Sequence, residues 1–221
     1  MKKLLDGLSA GIMIVLGCSV YLACSNKYVG ACLFSVALLT VCIMKQSLFT
    51  GKIGTLIENH KKENFALVFL GLLGNTIAVI LLGLAVSYAV PNLSETAKVI
   101  CEAKLTDQNF LQTLIRAMMC GILMYVAVTI YKENNTTIGI IFAIPAFILS
   151  GFEHSIADMG YFAIANIFSL EVLGFICTVL LGNALGAFIL PLLRLTKKEK
   201  KVIETKDDDK DNKDDKEDKS A

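Results

Sequence analysis

Apolar residues gather into six stretches, over about 5–24, 28–48, 65–90, 110–131, 137–158 and 162–193. Each meets the ~20 residues that a helix needs to cross the hydrocarbon layer. The pattern predicts an all-α integral membrane protein with six transmembrane helices, joined by short connections except at 91–109. That segment, PNLSETAKVICEAKLTDQN, is polar enough to lie outside the membrane. An even number of crossings places both termini on one side.

Two of the six stretches are interrupted. The second runs into SLFTGKIGT at 47–55 and the fifth into SGFEHS at 150–155. The third and sixth share a motif, LLGNTIAVILL at 72–82 and LLGNALGAFIL at 180–190, offset by 108 residues. The two interruptions stand at nearly the same offset. Three helices per half reverse the second half in the membrane, so the chain reads as two inverted three-helix repeats with helices 2 and 5 broken. Gly-interrupted segments at matching places in two halves are the best sequence pointer to a membrane binding site, because irregular backbone at that depth survives only against protein or water. Asn75 and Asn183, with their neighbouring glycines, fit close helix packing, which small residues and cross-bonding amides promote.

Composition supports the membrane reading. The chain is 55% hydrophobic and 19% charged, with a mean hydropathy of +0.63. Much of the charge sits at the end: Lys206 to Ala221 holds five Lys against eight Asp or Glu. Such a run cannot offset the entropy of ordering itself. The organisation expected is a channel domain over 1–199, its halves about 1–92 and 108–195, and a disordered charged cytoplasmic tail over 200–221. Lys and Arg near helix ends set orientation. Lys2, Lys3, Lys61, Lys62, Lys132, Arg194 and the lysines from Lys197 on would share one side, against Lys27, Lys98 and Lys104 on the other. Both termini are therefore expected in the cytoplasm, the protein being a multi-pass component of the cell (inner or plasma) membrane. The opening MKK and its apolar run ending YLACSN imitate a lipoprotein signal, but Asp6 and Tyr21 fit that pattern poorly. A retained first helix is expected.

Seven Cys without a CxxC pair, most of them inside apolar runs, act as small hydrophobes and give no metal or redox site. No cofactor and no nucleic-acid partner are expected. An intramembrane enzyme built on His154 would lack a nucleophile motif: neither GxSxG nor HExxH occurs, and Ser155 is only a sequence neighbour of the histidine.

The ionisable pair within the second break carries the chemistry, since such groups in a membrane segment are expensive and mark function by default. His154 has an unperturbed pKa of about 6.5, and its imidazole can donate or accept a hydrogen bond and pass a proton. The plainer reading is a core histidine tied to a neighbouring helix; the paired breaks favour the pore. Glu153 is expected to point away, toward loop amides that the break leaves unpaired.

These residues resemble the formate/nitrite transporter family of pentameric anion channels. GFEHSIADM resembles that family's GFEHSxAxM signature, and SLFTG its [DE]LFTG loop; QTLIRAMMCGILMYVAV, PAFILSGFEHS and LLGNALGAF follow in the family order, over about residues 5–195. The resemblance implies an aquaporin-like fold, with one pore in each protomer of a homopentamer. It implies that His154 is the central histidine, faced by Thr50 from the first break. Phe34, Leu38, Leu48, Phe49 and Phe147 would form or border two apolar constrictions; Gly51, Gly151, Glu153, Asn75 and Asn183 are read as supporting loop or packing residues. The function implied is a channel for a small monovalent anion or its conjugate acid, formate or nitrite foremost, with hydrosulfide, acetate or lactate as alternatives. Its partners would be the anion, protons and the lipid membrane. Three positions depart from the family pattern. Ser47 replaces an acid, Lys45 a small residue, and Gly121 an asparagine. Lys45 would either concentrate anions in a vestibule or snorkel to the interface.

Overall fold

Gly7, Ala10, Gly11, Ile14, Cys18 and Leu22 recur every three or four residues, the spacing of one helix face, and this stripe is buried along α1 (Lys2–Ala23). Asn26 opens the next helix by accepting hydrogen bonds from the Tyr28 and Val29 amides, giving α2 (Lys27–Ile43). Two short helices follow, α3 (Phe49–Lys52) and α4 (Thr55–Glu58), then α5 (Lys62–Ala89). Pro91, whose missing N–H costs nothing at a helix start, begins α6 (Pro91–Thr106). A reciprocal Asn109–Gln112 capping box starts α7 (Phe110–Asn134). The chain ends with α8 (Ile138–Leu149), α9 (Ser155–Ala165) and α10 (Leu170–Glu217). The computed structural model describes the backbone of residues 1–217 and the side chains of residues 1–196. The tail expected over 200–221 lies outside the fully described residues.

Among the described residues all regular structure is helical. Four helices are long and apolar enough to cross a membrane: Lys2–Ala23, Lys62–Ala89, Phe110–Asn134 and Leu170–Thr196. Lys27–Ile43 and Ile138–Leu149 are apolar but shorter. Many large apolar side chains, among them Phe69, Leu81, Phe142 and Leu173, point outward. A water-facing surface would not carry so many; lipid or a neighbouring protomer suits them.

Packing repeats between the halves. The helix α1 lies against α5 and α2, as α7 lies against α10 and α8. Both principal contacts rest on glycine. A Cβ added at Gly7 would sit 2.6 Å from the Gly71 carbonyl oxygen, and one at Gly121 would sit 3.0 Å from the Ala187 amide nitrogen. The asparagine that the resemblance leads one to expect at Gly121 has no room, because α7 and α10 meet backbone to backbone there.

The ends of α2 and α8 share one design. Lys45 adopts φ 56° and Gly151 φ 68°. The Gln46 amide donates to Val41 and the Lys45 amide to Cys42, while Phe152 donates to Phe147 and Gly151 to Ile148. This is the Schellman closure, in which a left-handed residue just past the helix stops it. Glycine takes that conformation freely; a side chain costs about 1–2 kcal/mol. A Cβ at Gly151 would meet nothing within 4 Å, so the penalty there is purely conformational. Gly151→Ala is expected to lower stability, and Lys45→Gly to raise it, each by about 1 kcal/mol. Thermal unfolding in detergent checks the opposite signs.

The apolar segment expected at 162–193 divides differently. The helix α9 runs on to Ala165 and stops at Asn166, another left-handed residue (φ 56°). Ser169 then accepts the Val172 amide hydrogen bond at 3.1 Å and starts α10 afresh. Asn tolerates positive φ better than other non-glycine residues, and that local preference overrode the continuous hydrophobic pattern.

Candidate functional site

After each left-handed turn the chain runs extended through Leu48 and His154 before turning helical again. The backbone groups exposed there are buried, so each needs a partner. Asn75, on α5, supplies two and adds a tie to α1. Its Oδ1 accepts the Phe49 amide at 2.9 Å, and its Nδ2 donates to the Ser47 carbonyl at 2.9 Å and to Gly7 on α1 at 2.8 Å. Asn183, on α10, repeats the bracket: Oδ1 takes the Ser155 amide at 2.9 Å, and Nδ2 donates to Glu153 and to Ala117 on α7, both at 2.8 Å. Both asparagines are fully buried. They do more than pack helices, because each ties a break to two helices at once.

The breaks bring Thr50 and His154 together, with 2.8 Å between Oγ1 and Nε2. The Ala157 amide donates to Nδ1 at 3.1 Å, so Nδ1 must present a lone pair. The neutral ring then carries its proton on Nε2 and donates to Thr50. A proton on Nδ1 would displace that amide from the start of α9. Phe147 stacks on the imidazole at a centroid distance of 5.6 Å, and Phe34 meets Phe147 edge-on at 6.4 Å.

Cavities lie on either side of this cluster. One of 130 Å³ is lined by Phe34, Phe147, Gly151, His154, Lys104 and Asp158. Thr50 and Gly51 border a second of 210 Å³, which shares Gly51, Val128 and Lys132 with a third of 390 Å³. The third is lined by Leu38, Leu48, Lys45 and Lys52 among others. The Thr50–His154 bond therefore stands between spaces on opposite sides. Phe49 is buried but lines none of these three cavities; its amide, rather than its ring, is what the break uses.

Glu153 does not serve loop amides as expected. Its carboxylate accepts from Lys104 Nζ and, at 2.8 Å, from Gln108. The loop groups go to the asparagines instead. Lys104 Nζ also lies 3.0 Å from Asp158. Burial of Lys104 works against its charge, but the facing Asp158 and Glu153 carboxylates outweigh it and raise the pKa, keeping the ammonium charged. Lys104, Gln108 and Asp158 were not among the expected site residues. The acid four residues after His154, in the otherwise apolar SIADMGYF, was the available signal for Asp158, because four residues is one helical turn. Ser47 stands where Glu153 stands in the other half, and its hydroxyl donates to the Leu67 carbonyl at 3.4 Å, so no cation is required there. No cluster suited to a metal ion occurs among the described residues.

The comparisons with known proteins agree on one family. A family described as "Formate/nitrite transporter" matches residues 1–195. A solved "Pentameric formate channel with formate bound" superposes with a TM-score of 0.70 at 23% identity, covering 88% of this chain and 95% of that one. An "FNT family ion channel" superposes with a TM-score of 0.71 at 24% identity, covering 88% and 87%. Comparison with curated protein sequences finds no match.

Proposed function

Because the chain belongs to the formate/nitrite transporter family, and so is an anion channel of formate/nitrite type rather than an enzyme, we propose that it carries a small monovalent anion across as the conjugate acid, with proton coupling at His154. The observation that carries this reading is the buried Thr50–His154 hydrogen bond between cavities on opposite sides. A bare anion entering the apolar slit of Phe34 and Phe147, or that of Leu38 and Leu48, would lose its hydration with little in return. The protonated acid is neutral and crosses far more readily. Close to His154 the anion meets the Thr50 hydroxyl, whose proton is free to donate because the hydroxyl oxygen already accepts from Nε2.

The same reading covers the architecture. Six crossings form two inverted repeats, helix 2 broken between α2 and α3 and helix 5 between α8 and α9, within a channel domain over 1–199. Five copies assemble as in the formate channel that it resembles, each with its own pore, in the cell membrane with both termini and the 200–221 tail in the cytoplasm. Lys45, Lys52 and Lys132 then face the cytoplasmic cavity, where three lysines gather anions by focusing the field. Formate or nitrite is the expected substrate, and hydrosulfide, acetate and lactate are the alternatives.

Stopped-flow measurement on proteoliposomes tests this directly. Formate and nitrite gradients are expected to drive flux that grows as pH falls, since more acid form is available. Protein that moves none of the five substrates at any pH would end the reading.

A further inference from the structure

The neutral imidazole just described has one N–H, and losing it would leave an imidazolate, so, while Ala157 caps its other nitrogen, coupling at His154 needs a second acid as the source of the proton. Another acid must stand near. Asp158 lies one turn further along α9, its amide bonded to the His154 carbonyl at 2.9 Å, and lines the same 130 Å³ cavity. Its side chain is 3% exposed. One carboxylate oxygen faces Lys104, and the other, Oδ2, is buried with no hydrogen-bond partner among the described residues.

Charge counting points the same way. Around Asp158 stand Lys104 and Cys101 from α6, Cys18 from α1, Cys120 from α7, and Glu153, His154 and Tyr161 on its own stretch. Thiols and phenol ordinarily carry no charge from acid to neutral pH. One ammonium therefore answers two carboxylates, and Glu153 already has both oxygens occupied by Lys104 and Gln108. A second buried negative charge with an unpaired oxygen is expensive; a proton on Asp158 Oδ2 removes it and turns the orphan atom into a donor.

We propose that Asp158 is the proton donor to the permeating anion on this side of the pore. The Oδ2–H bond breaks and an H–O bond forms on the anion (H–S for hydrosulfide). The carboxylate left behind stays against Lys104, and water entering the cavity returns the proton. The neutral acid then passes His154 and Thr50. The proposal rests on the anion-channel reading and deepens it by naming the donor.

Asp158→Asn imitates the shape and donor of the protonated acid but cannot release a proton. In proteoliposomes, formate flux in acid is expected to fall by about 100-fold, the lower end of what a positioned proton donor contributes, and what remains is expected to follow only the concentration of formic acid in solution. Infrared spectra of wild-type protein at neutral pH should show a protonated-carboxyl band that Asp158→Asn lacks. An unchanged pH profile in the variant, a band that persists in it, or no band in the wild type would each overturn the donor role. If the wild type itself moves no anion, the channel reading fails and the donor role with it, whereas unchanged flux in the variant removes the donor role alone.

Discussion

Replacing Asn183 with leucine is expected to destroy the pore while leaving the individual helices helical. Leucine fills about the same space but strands the Ser155 amide and the Glu153 carbonyl, which now bond to the asparagine, and releases its tie to the Ala117 carbonyl, which keeps its bond within α7. Each buried group left unpaired costs about 1–3 kcal/mol, so the two together remove a large part of the stability of an ordinary domain, about 5–15 kcal/mol. Size-exclusion chromatography in detergent should show the assembled oligomer replaced by aggregate, with far-ultraviolet circular dichroism still helical. Asn75→Leu should do the same through Phe49, Ser47 and Gly7. A stable, conducting Asn183→Leu oligomer would mean that the bracket is incidental.

His154→Asn should do the reverse, sparing the fold and changing transport. Asparagine is among the best residues at a helix start, so the Ala157 amide keeps a partner and α9 stays capped. The shorter side chain no longer reaches Thr50 or stacks on Phe147. Losing one desolvated hydrogen bond of about 1–3 kcal/mol between the cavities corresponds to about 10- to 100-fold in flux. The pH dependence should change along with the rate. Stopped-flow flux between acid and neutral pH measures both. A wild-type pH profile in this variant would show that the histidine has no part in proton coupling.

Much of this was legible because membrane physics writes coarse signals. The long apolar runs and the repeated LLGN motif stand out at the scale of a helix, and GFEHSIADM and SLFTG drew attention to His154 and Thr50, which the structure does bring together. What was missed lies at a finer scale. Lys104 sits 49 residues before Glu153 in sequence, and its pairing exists only because α6 packs against α9. No local pattern announces that. The misdivided segment at 162–193 failed for the opposite reason: one asparagine in a left-handed conformation outweighed thirty residues of favourable hydropathy. Asn75 and Asn183 were noticed as a pair, but their task becomes visible only once the broken ends they hold are in place.

Those two side chains also set how the pore is built mechanically. Asn75 grips α1 with the same amide group that holds the mouth of α3, and Asn183 grips α7 while holding the start of α9. A helix sliding past its neighbour by the length of one hydrogen bond would therefore pull on Thr50 or His154. The docking of α1 and α7 and the placing of the residues that open α3 and α9 are thus joined through two amide groups.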